Sequence, residues 1–156
     1  MPLSHIKEDG SVTMVDVSEK AVTERIAVAE GRILMQKETF AAIVGKSLKK
    51  GDALAAAQIA GIMAAKETSR LIPLCHPIFL SDVDVGFSFE DEIPSIVCRC
   101  RTKTTAQTGV EMEALTGCSM ALLTLYDMCK ALDRGMRITD IHVTVKDGGK
   151  SGRFVG

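Results

Sequence analysis

The chain of 156 residues predicts an α+β domain, an antiparallel sheet with helices packed on one face. Three observations carry that expectation. An Ala-rich run at residues 53–69 and an apolar stretch within 109–134 read as helices. Between them, residues 80–89 (LSDVDVGFSF) and 95–104 (SIVCRCRTKT) alternate as the two strands of an antiparallel hairpin, split by acidic residues and Pro94. The order strand, helices, hairpin, helix, strand then runs through residues 1–156 as a single domain, with no linker or repeat.

Taken in order, residues 1–13 read as loosely ordered, and an apolar pattern begins at Met14-Val15-Asp16-Val17. Residues 25–35 (RIAVAEGRILM) have strand spacing with Gly31 placed for a bulge, and 36–44 form a short helix ended near Gly45. Asp52 is a natural N-cap for the Ala-rich helix. Pro73 and Pro77 then bracket the stiff segment Leu71-Ile72-Pro73-Leu74-Cys75-His76-Pro77. The second long helix is apolar around most of its circumference from Leu115 to Leu125, which marks it as buried. Residues 137–146 alternate as a last strand, followed by a glycine-rich basic loop at 147–153.

Composition excludes several functions. With 19 Lys and Arg against 20 Asp and Glu, the formal net charge of −1 gives no electrostatic footprint for nucleic acid. Aromatics are 4% of residues and Trp is absent, too few for the stacking platforms of a single-strand binder. The five cysteines show neither a disulfide framework nor zinc spacing. Residues 1–20 are polar and carry Glu8, Asp9 and Asp16, unlike a secretory signal or transit peptide. The most apolar window, 53–65, is too short to cross a bilayer. The expected location is the cytoplasm, with no membrane partner.

The long second helix is the most informative stretch. Glu113, Thr116, Met120, Leu123, Asp127 and Lys130 share one stripe at about 100° per residue, while Glu111 falls on the opposite side. Asp127 and Lys130 read either as an i, i+3 pair on a solvated last turn or as the lining of a cleft, and their apolar neighbours favour the cleft. Glu113 and Asp127 stand 14 residues apart. At 1.5 Å per residue that is about 21 Å, too far for both to serve one reacting atom. Either they touch opposite ends of an elongated ligand, or each belongs to a site completed by another subunit. His76 is rigidly placed beside Pro77, for a ligand or as a packed turn residue, and Cys75 reads as a small hydrophobe before it reads as a nucleophile.

Lys146, Lys150 and Arg153 among Gly148, Gly149 and Gly152 read as a phosphate cradle or as a flexible tail, but not as a P-loop, because the required earlier glycine is Thr144. Lys50, at a helix entrance, has the same two readings. The whole set suits an anionic small molecule and proton transfer. Two classes stay open on these residues, an acid/base enzyme acting on a phosphorylated substrate and a non-catalytic ligand-binding oligomer. Carboxylates set beside the cations favour the enzyme.

The segments Met14-Val15-Asp16-Val17, Lys50-Gly51-Asp52, Ala60-Gly61-Ile62, the proline-bracketed LIPLCHP, Thr108 to Thr116 (TGVEMEALT), Tyr126 to Ala131 (YDMCKA) and Gly148 to Gly152 (GGKSG) resemble the molybdenum cofactor biosynthesis protein C family, the cyclic pyranopterin monophosphate synthases. They occur in the family's order over nearly the whole chain. The resemblance implies a ferredoxin-like α+β fold assembled as a hexamer, a trimer of dimers, with sites at subunit boundaries. It also implies a lyase reaction converting (8S)-3′,8-cyclo-7,8-dihydroguanosine 5′-triphosphate to cyclic pyranopterin monophosphate and pyrophosphate.

By the same resemblance Asp127 is the assigned active-site residue, with Lys50 and Lys130 as catalytic lysines. His76 and Glu113 are substrate contacts, and Leu74, Cys75, Glu111 and Met112 fall in the segments that hold the purine-derived base. Arg25, Lys20, Lys66 and Lys146 match positive positions facing the triphosphate. Like-charge repulsion within a lysine cluster favours the neutral amine and so suits proton transfer. No tightly bound cofactor and no metal site are implied; whether Mg2+ accompanies the triphosphate, and whether the chain transiently contacts the preceding radical enzyme, the sequence leaves open.

Overall fold

The computed structural model describes residues 3–156. In chain order the elements are β1 (Thr23–Leu34), α1 (Lys37–Val44), α2 (Ala53–Lys66), α3 (Thr68–Leu71), β2 (Asp82–Glu90), β3 (Ser95–Ala106), α4 (Glu111–Cys129), β4 (Arg137–Asp147) and β5 (Phe154–Val155). The sheet order is β2-β3-β1-β4-β5, with every pairing antiparallel. The hairpin β2-β3 and the insertion of β1 between β3 and β4 make the first four strands a ferredoxin-like split arrangement.

The helices cover one face because β1 and β3 alternate against them. Ala27, Ala29 and Ile33 on β1, with Ile96, Cys98 and Cys100 on β3, are buried beneath α4. These residues are mostly small, and so are the α4 residues that meet them, Ala114, Gly117, Cys118 and Ala121. A Cβ at Gly31 would lie 2.8 Å from Leu122 Cδ1, and one at Gly117 would lie 2.7 Å from Cys100 Sγ. α2 closes on α4 in the same way, since a Cβ at Gly61 would stand 2.9 Å from the carbonyl oxygen of Gly117. The opposite face of the sheet carries cross-strand ion pairs, among them Arg101–Asp82 at 3.1 Å, Lys103–Glu24 at 3.4 Å and Arg32–Glu90 at 3.1 Å.

Asp52 caps α2 as the sequence predicts, its Oδ1 accepting from the Ala55 N–H at 3.2 Å. The Ala-rich helix, expected to run to Ser69, breaks at Glu67 and resumes as α3. Thr68 accounts for the break, its hydroxyl donating to the carbonyls of Ala64 and Ala65. α4 ends at Cys129, short of the expected Arg134. Beyond it Asp133 is buried and accepts from the Gln36 N–H at 2.9 Å and the Thr39 hydroxyl at 3.2 Å. That carboxylate supplies the cap that α1 lacks locally, from a site 97 residues away in sequence.

Gly31 sits opposite a bulge rather than forming one. Between Glu30 and Arg32 the register with β4 jumps from His142 to Thr139, so one extra residue lies on β4, where Asp140 has φ 59°. The glycine-rich segment does not trail away. Gly148 and Gly149, at φ 91° and 78°, turn the chain back into β5, and Gly156 N–H donates to the Thr144 carbonyl at 2.8 Å. Residues 3–13, read as loosely ordered, hold a local turn: Ile6 bridges Val12, and the Lys7 N–H donates to the Ser11 carbonyl at 2.9 Å. Met1 and Pro2 lie outside the described residues. No helix among the described residues is long and apolar enough to cross a membrane.

The Gly61–Gly117 crossing yields a stability prediction. Gly61→Ala adds up to about 1 kcal/mol of helix propensity, yet forcing a methyl onto a backbone oxygen costs about 1–3 kcal/mol. Net destabilisation is therefore expected in urea unfolding followed at fixed protein concentration.

Candidate functional site

A cavity of about 750 Å3 opens between the first turn of α4, the proline-bracketed segment after α3 and the chain before β1. Lys20, Leu74, Cys75, His76, Glu111, Met112 and Glu113 line it, seven of the thirteen residues the sequence marks. Val15, Val17, Ser4, His5 and Thr108 line it too. The sequence analysis assigns none of these five a site role, although Val15, Val17 and Thr108 lie in segments that carry the family resemblance. The alternation at Met14-Val15-Asp16-Val17 was the available signal, for Val15 and Val17 are half-buried while Met14 and Asp16 are exposed.

Glu111 and Glu113 line this cavity together, although helical geometry sets them on opposite sides. The difference arises at the helix start, where the cavity wraps over the N-terminus of α4 and reaches side chains from more than one face. Glu113 is only 4% exposed. Burial, reinforced by the charge of Glu111, raises its carboxyl from the ordinary 4.5 to about 7 against the opposing pull of a backbone hydrogen bond. Glu111 keeps one oxygen buried without a hydrogen-bond partner, and its nearest cation is Lys146 at 3.9 Å. Cys75 has its thiol pushed up by burial and by Glu113, which argues against a thiolate nucleophile there. His76 presents Nε2 to the Val15 carbonyl at 2.6 Å.

Lys146 reaches the rim through Glu111 and donates to the Ser151 hydroxyl at 2.9 Å. Arg25 lines neither cavity and is buried, with Nε donating to the Ala106 carbonyl at 2.9 Å and Nη2 to the Ala21 carbonyl at 3.2 Å. Its Nη1 sits beneath Gly149, where any Cβ would collide with it. Gly149 thus lies over the guanidinium, and Gly148 lies against the Glu24–Arg25 backbone. Lys66 lines a second cavity of about 580 Å3 with Phe79 and Asp82, and Ile78 is common to both cavities.

Lys50, Asp127 and Lys130 converge at the other end of α4. Lys130 Nζ is 3.0 Å from Asp127 Oδ1 and Lys50 Nζ is 3.8 Å from Oδ2, while Lys50 also donates to the Asp127 carbonyl at 3.1 Å. The hydrogen bond from Lys130, then the charges of Lys50 and Lys130, hold the Asp127 carboxyl below its ordinary range. This cluster lines neither cavity: its side chains are 49–60% exposed, on an open surface instead of the cleft that apolar neighbours suggested. Among the described residues, no three His, Cys, Asp or Glu side chains converge to hold a metal ion.

A family model described as the MoaC family matches residues 14–149, almost the whole chain. The chain belongs to the MoaC family. A relative from Heliobacterium modesticaldum, named cyclic pyranopterin monophosphate synthase, is 53% identical over 154 residues, covering 99% of this chain and 97% of its own. Relatives of the same name from Thermoanaerobacter pseudethanolicus and Syntrophomonas wolfei are each 54% identical over 99% of this chain and at least 98% of their own. The MoaC match takes in both the cavity from Val15 onward and the Lys50–Asp127–Lys130 cluster.

Glu113 gives this MoaC-family chain a pH signature. A carboxyl raised in the fold favours the neutral form, so its contribution to stability is complete below about 4.5 and is lost as pH rises through about 7. Urea midpoints measured between those limits should fall with rising pH in the parent, and Glu113→Gln should remove that component of the slope.

Proposed function

We propose that the protein is a cyclic pyranopterin monophosphate synthase, a lyase of molybdenum cofactor biosynthesis that rearranges the 3′,8-cyclised dihydro-GTP and releases pyrophosphate. The near-full-length match to relatives bearing that name carries this reading. The cavity chemistry supports it. Leu74, Cys75, His76, Glu111, Met112 and Glu113 offer mixed apolar and hydrogen-bonding groups suited to a purine-derived base. Lys20 and Lys146 stand at or beside the same cavity, and with Arg25 and Lys66 they supply positive charge for the triphosphate and the departing pyrophosphate. Mg2+, where it takes part, arrives on the triphosphate, and no tightly bound cofactor enters the reaction.

Proton movement falls to Lys50, Lys130 and Asp127. Asp127 stays ionised between two ammonium groups and orients both. A lysine held this way as the ammonium can give a proton to a substrate atom brought within hydrogen-bond reach, and the neutral amine this leaves can take one back.

The base-binding residues and this trio belong to opposite ends of one helix, about 21 Å apart by helical rise. A reacting nucleotide needs both at once. The reading is therefore a homo-oligomer in which the cavity of one subunit faces the lysine pair of its neighbour, built up as a hexamer, a trimer of dimers, in the cytoplasm. The preceding radical enzyme would contact it transiently to deliver the substrate.

Two measurements test this. In anaerobic turnover of the cyclised nucleotide, the parent should release pyrophosphate together with a product that oxidises to a fluorescent pterin, and Lys50→Ala, Lys130→Ala and Asp127→Ala should lose both signals while keeping their circular dichroism. Tight nucleotide binding with neither product would mean a binding protein. For the shared site, inactive Glu113→Ala and inactive Lys130→Ala chains refolded together should regain up to about a quarter of parental turnover, because half the dimers are mixed and each has one intact site of two. No recovery would place each site within a single chain.

A further inference from the structure

The Met14-Val15-Asp16-Val17 motif and the chain around it have no part in the reaction outlined above, yet they form one wall of the cavity. Val12, Val15 and Val17 line it, and the segment is fastened on both sides of Val15. Upstream, Ile6 bridges Val12 and the Thr13 N–H donates to the His5 carbonyl at 2.9 Å. Downstream, Asp16 Oδ1 accepts from the Ser18 N–H at 2.9 Å, and Gln107 Nε2 donates to the carbonyls of Ser18 and Lys20 at 3.4 and 3.3 Å. Held between these fastenings, the Val15 carbonyl meets His76 Nε2 at 2.6 Å.

A carbonyl oxygen can only accept, so His76 Nε2 must carry the proton. A neutral imidazole has one N–H, which leaves Nδ1 as a bare lone pair. Nδ1 has no hydrogen-bond partner among the described residues. The other two histidines are held the opposite way, His142 Nδ1 against the Asp140 carbonyl at 2.6 Å and His5 Nδ1 against the Thr13 carbonyl at 3.3 Å.

We propose that residues 12–17 are a positioning strap whose Val15 carbonyl locks His76 in the Nε2–H form, so that its Nδ1 accepts a hydrogen bond from an N–H or amine group of the bound purine-derived ring. The identity of that ring rests on the function proposed above; the lock itself does not. It makes His76 a reader of donors: a ring presenting a carbonyl at that point would face a lone pair and be rejected. The Val15 carbonyl acts through His76, whose Nδ1 makes this hydrogen bond to the ligand.

The test is nitrogen NMR of the ligand-free full chain labelled with 15N, at alkaline pH where imidazole is neutral. His76 should show a protonated Nε2 and a pyridine-like Nδ1, with His142 showing the reverse pattern in the same spectrum. Kinetics follow on the double variant Asp16→Ala/Gln107→Ala, neither of whose side chains lines the cavity. Its His76 signals should shift toward tautomer averaging, and its KM should rise about tenfold with kcat nearly kept, the loss of roughly one hydrogen bond's worth of orientation. A proton on Nδ1 of His76 in the parent overturns the proposal, as does a double variant with both signals and KM unchanged. If the parent shows the expected spectrum yet neither binds nor converts the cyclised nucleotide, the lock stands and the functional reading fails.

Discussion

The architecture depends on how closely α4 lies on the sheet and on α2. That approach is set by residues with little or no side chain: Gly31 under Leu122, Gly117 over Cys100, and Gly61 against the Gly117 carbonyl. Interiors are packed to crystal-like density, so a helix seated on Ala, Cys and Gly is fixed in position more tightly than one resting on large, adaptable side chains. The consequence is functional, because α4 carries the proposed binding groups on its first turn and the proposed proton-transfer group on its last. One rigid rod positions both.

The two ends hold their carboxyl groups in opposite states. Glu113, enclosed beside another acid, is pushed toward the neutral form, whereas Asp127, in the open between two lysines, is kept ionised. Helix macrodipole effects alone would favour the reverse, since negative charge is stabilised at an N-terminus and disfavoured at a C-terminus. Local burial and ion pairing outweigh the dipole at both ends. A neutral Glu113 can donate a hydrogen bond to a bound ring, which an ionised one cannot.

Much of this was legible in the residues. The Asp52 cap, the alternation of β2 and β3 and the separation of Glu113 from Asp127 all rest on local periodicity, and each emerges in the fold. Longer-range relations were not legible. Asp133 caps a helix that began almost a hundred residues earlier, Thr68 breaks a helix that composition alone would extend, and the opening strap gains its place only through Gln107 and His76. Asp127 lines neither cavity because Tyr126, Met128 and Cys129 pack toward the core while Ala131 and Leu132 are exposed beside it, leaving the carboxylate on the outer surface. Glu111 and Glu113 meet because a cavity at a helix end does not respect the stripes of the helix body.

The open face of the sheet bears on how a polyanion finds this molecule. Its basic side chains are already matched: Arg101 with Asp82, Lys103 with Glu24, Arg32 with Glu90. Each pair adds little to stability, in the range of about 0–1 kcal/mol. As a set, however, they cancel the field on that side. Lys20 and Lys66, by contrast, have no acidic partner within 4.0 Å among the described residues, and they lie on the two adjoining cavities. An anion that enters either cavity therefore meets an ammonium group that no neighbouring carboxylate already holds.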